Sequence, residues 1–197
     1  MKCDILLAGV GGQGVLALAA AIAAGAMEQK LHVKQAEVHG MAQRGGAVMA
    51  SLRLADRQIA SDLIPRGTAE MILSMEPMES LRYLAYLAPE GTLVTSANPV
   101  RNIPDYPDLD ALLGKIRGLP HAIVVDTERL ARGAGSVRAA NMVMVGAAMH
   151  LLPIRPEILE SAVRAIFGRK GEDVVNVNLR ALRAGREAAR QVKGQQS

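Results

Sequence analysis

Two clusters of residues carry most of the chemistry this chain could perform. Gly9-Val10-Gly11-Gly12-Gln13-Gly14 satisfies the pattern G-x-G-x-x-G. Glycine suits an anion site for physical reasons: without Cβ atoms the turn accepts positive φ, and a negatively charged group can approach the free N–H groups at a helix start, where the dipole favours it. The second cluster, Glu37-Val38-His39-Gly40-Met41-Ala42-Gln43-Arg44-Gly45-Gly46, gathers a carboxylate, an imidazole, a guanidinium and three glycines. Such a loop can offer N–H groups and an arginine fork to phosphate or carboxylate. The glycine pattern alone is a weak signal, because glycines also serve merely to make a tight turn with close packing. The second cluster also reads as a surface loop with incidental charges.

The elements that must hold these clusters follow from hydrophobic periodicity. Residues 3–9 form a short apolar run, and 14–28 carry Val15, Leu16, Leu18, Ala19, Ile22, Ala23 and Met27 at helical spacing, so the first cluster joins a strand to a helix. Strands are expected over 32–38, 47–54, 70–74, 92–96 and 122–126. Helices are expected over 77–88, stopped by Pro89-Glu90-Gly91, and over 109–117, 139–151, 156–167 and about 177–193. Alternating strands and helices predict a single α/β domain over residues 1–197, with the last few residues frayed. Its form would be a three-layer α/β/α sandwich around a mostly parallel or mixed Rossmann-like sheet. Both clusters would then leave the carboxyl edge of the sheet, where open α/β sheets bind ligands.

The other polar residues have simpler readings. Glu76-Pro77, Asn98-Pro99 and Asn141 suit capping and turn formation as well as ligand contact. His32, His121 and His150 lack metal-ligand spacing. Cys3 is the sole cysteine, which excludes an intrachain disulfide and a thiolate-held cluster or zinc within this chain. With no Trp and one Phe there is little with which to stack on nucleic-acid bases. Lys and Arg exceed Asp and Glu by four, and part of that excess lies at Arg180, Arg183, Arg186, Arg190 and Lys193, as expected of a solvated or partner-facing helix. Neither a secretory signal nor an apolar run of about 18 residues is found, so a cytoplasmic location is expected, without membrane or nucleic-acid partners.

Taken together, AGVGGQGV at 8–15, EVHGMAQRGGAV at 37–48 and SMEPMESLRYL at 74–84 resemble the gamma subunit or domain of the 2-oxoacid:ferredoxin oxidoreductases. The histidine-glycine-methionine step and the glutamine-arginine-glycine-glycine loop are similar to those of the indolepyruvate members' beta subunit. The likeness runs from Asp4 through Asn98-Pro99 and 138–142 to about Ala184. It implies a subunit, inactive alone, of an enzyme that oxidatively decarboxylates a 2-oxoacid with coenzyme A and reduces ferredoxin. Thiamine diphosphate, magnesium and 4Fe-4S clusters would sit in partner subunits. No catalytic or metal-binding residue is assigned to this chain, and whether it self-associates when isolated is left open.

On that basis Gly9, Gly11, Gly12, Gln13 and Gly14, together with Arg44, Gly45 and Gly46, would bind or gate a phosphorylated ligand, coenzyme A foremost. Gln13 would donate into the crevice. Glu37 and His39 would order the loop or meet the thiamine-bearing partner. Two rival readings stand beside this one. The first is a freestanding NAD(P)-binding oxidoreductase, in which Glu37, at the end of the second strand, would hold a ribose. The second is a purely structural scaffold subunit.

Overall fold

The computed structural model describes residues 1–39 and 45–194. Its sheet has six strands in the order β2-β3-β1-β4-β5-β6. They are β1 (Lys2–Val10), β2 (His32–His39), β3 (Ala47–Ala55), β4 (Ala69–Ser74), β5 (Leu87–Ser96) and β6 (Ala122–Val125). Strand β3 is antiparallel to both neighbours, β1 and β2, whereas β1, β4, β5 and β6 pair in parallel. Five strands therefore run one way and β3 alone runs back, a mixed form of the expected sheet.

Burial explains the strand order. Residues Cys3 to Val10 of β1 are all buried, as a strand covered on both faces must be. Strand β2 is largely exposed and carries Lys34, which suits an edge. Seven α-helices among the described residues cover the sheet: α1 (Val15–Glu28), α2 (Pro77–Arg82), α3 (Leu109–Arg117), α4 (Thr127–Ala134), α5 (Ala140–Ala148), α6 (Pro156–Phe167) and α7 (Glu172–Gly194). Cys3, Ile5 and Leu7 pack with buried residues of α1, α4, α5, α6 and α7, while Leu6 and Ala8 pack on the other face with α3 and the chain following α2. Helix α5 is apolar beyond Asn141, in keeping with the burial of every residue from Met142 to Met149.

At the amino end of the sheet the fully buried Asp4 receives a two-pronged hydrogen bond from Arg53, with Nε to Oδ1 and Nη2 to Oδ2 both 2.8 Å, and lies 2.9 Å from Lys2 Nζ. Arg53 Nη1 also donates to the carbonyls of Ser61 and Leu63, tying the 56–68 connection to the sheet.

Three boundaries differ from the sequence reading. The helix expected over 77–88 ends at Arg82, and Pro89-Glu90-Gly91 lies inside β5. The pairing with β4 shifts between Ala69 and Met71, an irregularity that tolerates a residue without an N–H. A Cβ on Gly91 would stand 2.8 Å from the Ala69 carbonyl oxygen, so the tight approach there requires glycine. Helix α7 begins five residues earlier than expected, with Glu172 and Asp173 in its first turn. Helix α4 lies outside the expected elements: it is short, and half of its sequence TERLARGA is polar. Residues 195–197 lie outside the described residues. Among the described residues no helix is long and apolar enough to cross a membrane.

Candidate functional site: a crevice at the carboxyl edge of the sheet

The glycine turn does two jobs. Its first half is committed to the fold: Gly11 N–H donates to the Gly46 carbonyl at 2.8 Å and Gly45 N–H to the Gly11 carbonyl at 3.3 Å, extending the β1–β3 pairing past Val10. Gln13 staples two strands, with Oε1 accepting from Val10 N–H at 2.8 Å and Nε2 donating to the Met75 carbonyl at 3.0 Å. A Cβ on Gly9 would stand 2.7 Å from Val15 Cγ2, so Gly9 serves close packing. The second half is open. Gly12 and Gly14 have φ of 101° and 80°, and Gly14 caps α1 without a side chain. The N–H groups of Gly12, Gly14, Val15, Leu16 and Ala17 have no backbone acceptor among the described residues. An uncapped helix start of this kind is a ready anion cradle.

This open half faces a crevice of about 510 Å³ that runs across the carboxyl ends of β1, β4, β5 and β6. Gly12, Gln13 and Gly14 form one wall, and Ser96, Asn98, Thr127, Arg132, Arg138 and Asn141 belong to the others. Asn98 organises the far side: its Oδ1 accepts from Thr127 Oγ1 at 2.9 Å and Glu128 N–H at 3.0 Å, and its Nδ2 donates to Asp126 Oδ1 at 3.1 Å. Asp126 in turn caps α4 through Arg129 N–H. Asn141, in the first turn of α5, holds its side-chain amide against the turn, and a Cβ on Gly14 would stand 3.3 Å from Asn141 Nδ2.

The N-cap of α1 and the first turns of α4 and α5 therefore line one cavity. Their dipoles add positive potential. Arg132 and Arg138 contribute two guanidinium groups with no partner among the described residues, against one unpaired carboxylate, Glu128. The lining of the crevice thus carries more positive than negative groups.

A neighbouring knot fixes its rim. Glu76 is fully buried, with Oε2 accepting from Glu79 N–H at 2.8 Å as the cap of α2 and Oε1 accepting from Val100 N–H and Tyr106 Oη. Burial raises the Glu79 carboxyl, and Arg82, with Nε 3.0 Å away, acts against that rise. Burial and then the Glu76 hydrogen bond raise the Tyr106 phenol. The 97–108 connection is thereby fastened to α2. Glu76 and Asn98 thus act as caps and turn formers.

The second sequence cluster divides. Glu37 lies on edge strand β2, where it accepts from Gln35 Nε2, and His39 ends that strand. Arg44, with residues 40–43, lies outside the described residues. Gly45, at φ 77°, and Gly46 are pinned beside Gly11, and the Gly45 carbonyl accepts from Asn102 Nδ2. Strand β2 does point toward the crevice edge, as expected. However, β3 separates it from β1, so Glu37, in register with Ala50 and Leu7, stands two strand spacings (about 10 Å) from the first strand. That is the wrong place for the ribose-holding acid of a dinucleotide fold. Among the described residues, Arg132, Arg138 and Asn141 take the place in the crevice wall that the sequence reading gave to the second cluster.

The described residues do not fit an iron–sulfur cluster or a magnesium site. Cys3 is buried with its thiol pushed up to about 12, chiefly by desolvation, and no three of His, Cys, Asp or Glu converge as ligands.

The sequence matches the family described as pyruvate ferredoxin/flavodoxin oxidoreductase over residues 4–188. It is 39% identical over 196 residues to the indolepyruvate oxidoreductase subunit IorB of Archaeoglobus fulgidus, covering 94% of each chain. The fold is shared with the pyruvate oxidoreductase subunit PORC of Thermotoga maritima, at a TM-score of 0.73 and 24% identity, over 94% of this chain and 96% of that one. It is shared also with the 2-oxoglutarate:ferredoxin oxidoreductase of Magnetococcus marinus, solved with 2-oxoglutarate, coenzyme A and succinyl-CoA bound, at a TM-score of 0.77 and 23% identity over 96% of this chain. There the chain spans only 31% of its counterpart's length.

Proposed function

Because the chain belongs to the pyruvate ferredoxin/flavodoxin oxidoreductase family, we propose that it is the subunit of a 2-oxoacid:ferredoxin oxidoreductase that carries neither cluster nor thiamine and supplies one wall of the coenzyme A site. The 2-oxoacid is of the indolepyruvate type, following the named function of the Archaeoglobus relative. Thiamine diphosphate with its magnesium, which activates the oxoacid carbonyl for decarboxylation, and the 4Fe-4S clusters that pass electrons to ferredoxin belong to partner chains. This chain works in the cytoplasm as part of a heteromeric complex.

The observation that carries the reading is the convergence of three helix starts with Arg132 and Arg138 on one open crevice. Coenzyme A is rich in phosphate, and backbone N–H groups at Gly12 and Gly14 with two guanidinium forks match that charge. Gly45 and Gly46 hold the end of the loop beside Gly11, and Arg44, the residue before them in the sequence, would add a further guanidinium for the ligand. Glu37 and His39, on the strand leading to that loop, order it or meet the thiamine-bearing partner. Gly9 and Gln13 keep the cradle in shape. This chain's residues bind and orient; the carbon chemistry is done elsewhere.

The test is the assembled enzyme reconstituted with Arg138→Ala, Arg132→Ala and Arg44→Ala subunits. Each lost charge-assisted contact should raise the KM for coenzyme A about tenfold, with a smaller change in the KM for the oxoacid. A coenzyme A dependence unchanged in all three variants would leave only a scaffold role. Saturable binding of NAD(H) by the parent chain would favour the dinucleotide reading.

A further inference from the structure

From Val15 to Met27 helix α1 carries no polar side chain. A helix that is apolar all round is normally buried all round. Yet Leu16 is 39% exposed and Met27 60%, and Ala17 and Ala20 are open to solvent between them. Helices α6 and α7 show what a solvated face of this protein looks like: Glu157, Ser161 and Arg164 lie outward on the one, and Arg183, Glu187 and Arg190 on the other. The outer face of α1 is by comparison an uncovered apolar patch, the kind of surface that marks a protein contact.

The spacing on that face says what fits it. Leu16, Ala20, Ala23 and Met27 follow one another by four, three and four residues, the interval of a coiled-coil seam. Large side chains stand at the ends of the seam and alanines in the middle. Turned end for end, the seam matches itself: Leu16 meets Met27 and Ala20 meets Ala23, and the alanines let the two helices approach to about 8 Å.

Charge follows the same symmetry. Ala17, Ala24 and Glu28 form the row that flanks the seam on one side. At the amino end of that row, Ala17 borders a hollow of about 480 Å³ together with Phe167 and Lys170. Asp173 also lines the hollow, and Arg169, next to Lys170, leaves this end net basic. Glu28, exposed, closes the row at the carboxyl end of its helix, where the helix dipole opposes a carboxylate; Lys30 follows in the turn to β2. A two-fold axis across the seam reverses the helix but keeps each flank on its own side. Glu28 of each copy therefore arrives beside Lys170 and the amino end of the other α1, where charge and dipole both favour it. We propose that two copies of this chain pair antiparallel through the outer face of α1. The inference goes beyond the coenzyme A reading and does not depend on it.

Sedimentation velocity on the full chain is the test. It should report a dimer that dissociates in the micromolar range, as a single helix crossing about 21 Å long implies. Ala20→Glu sets two carboxylates in the seam and should weaken association by at least about a hundredfold, with the thermal transition showing that the variant is folded. Leu63→Glu, an exposed apolar position beside Ile64 on the other face of the sheet, should leave the dimer unchanged. Glu28→Lys and Lys170→Glu should each weaken it about fivefold, and the two together should restore it. Mixed chains carrying Ala20→Cys and Ala23→Cys should cross-link to each other faster than either does to itself, because Cys3 is buried and takes no part. A parent chain that stays monomeric at about 100 µM overturns the proposal and leaves α1 to a partner subunit. A dimer that survives Ala20→Glu puts the contact elsewhere and overturns it too. So does a double charge reversal that associates no better than the single ones, or cross-linking of like chains alone.

Discussion

Gly185→Ala is the substitution whose outcome the structure determines most sharply. Helices α5 and α7 touch backbone to backbone: a Cβ on Gly185 would stand 1.9 Å from the Val143 carbonyl oxygen, and one on Gly146 would stand 1.9 Å from that of Leu182. Ordinary contact begins near 3.4 Å, so the helices must part by 1.5 Å at a point where neither side is a flexible side chain. Overpacking a core costs about 1–3 kcal/mol, and rigid backbone on both sides puts this case at or just above the upper end, about 3–4 kcal/mol. Alanine recovers about 1 kcal/mol of helix propensity, leaving a net loss of about 2–3 kcal/mol. For a domain of this size that lowers Tm by roughly 5–10 °C. Gly133→Ala is the control, since nothing lies within 4 Å of its Cβ position in α4, and it should raise stability by about 0.5–1 kcal/mol. Thermal melts and urea midpoints of both variants supply the assay. A Gly185→Ala protein as stable as Gly133→Ala would refute the close crossing. With it would go the account of how α5 carries Asn141 to the crevice.

Three further outcomes follow from the same coordinates. Arg53→Met leaves Asp4 buried with only Lys2 beside it, so unfolding free energy should fall by about 3 kcal/mol, read from urea denaturation, and the 56–68 connection should become protease-sensitive. Burial raises the Glu79 carboxyl above its usual 4.5 despite Arg82, so its neutral form is the one the fold prefers. The associated stability is fully present below pH 4.5 and is lost as pH rises through the raised value. Glu79→Gln should therefore gain in urea midpoint relative to the parent at pH 7 and gain less at pH 4; an equal difference at both would contradict the assignment. Cys3, buried with its thiol near 12, should resist iodoacetamide in the native protein at pH 8 and react at once in urea, as mass spectrometry would show.

The parts of the fold legible from sequence were those in which local pattern and tertiary environment agree. The apolar run of β1 and the helical spacing of α1 reflect burial that the structure reproduces nearly residue by residue. Pro77 and Glu76 read as a helix start and are one. Pro89 read as a stop because its missing N–H normally ends a ladder, yet it sits at a pairing irregularity that only the β4 partner reveals. Helix α4 escaped because a short, half-polar helix shows little apolar periodicity. Its signals were chemical: Asp126 in a capping position, Arg132 in the last turn and Gly135 in the left-handed conformation beyond it.

The candidate site was half legible for a related reason. A glycine motif announces itself in a run of adjacent residues, whereas the walls facing it come from Asn98, Arg132, Arg138 and Asn141, whose proximity depends on strand order. That order also decides what the motif can do. Placing β3 between β1 and β2 carries Glu37 away from the turn, and the hydrogen bonds of Gly11 to Gly45 and Gly46 close the turn on that side. On the other side β4, β5 and β6 follow in parallel, so their carboxyl ends deliver the starts of α4 and α5 to the same edge as α1. The strand order changes direction at β1, and the open donors of Gly12 and Gly14 face only the parallel half. A pattern that in a fully parallel sheet would share a dinucleotide with its second strand is here turned toward helix dipoles and two arginines. One reversed strand between β1 and β2 is sufficient to part the glycine turn from the carboxylate that the dinucleotide reading requires beside it.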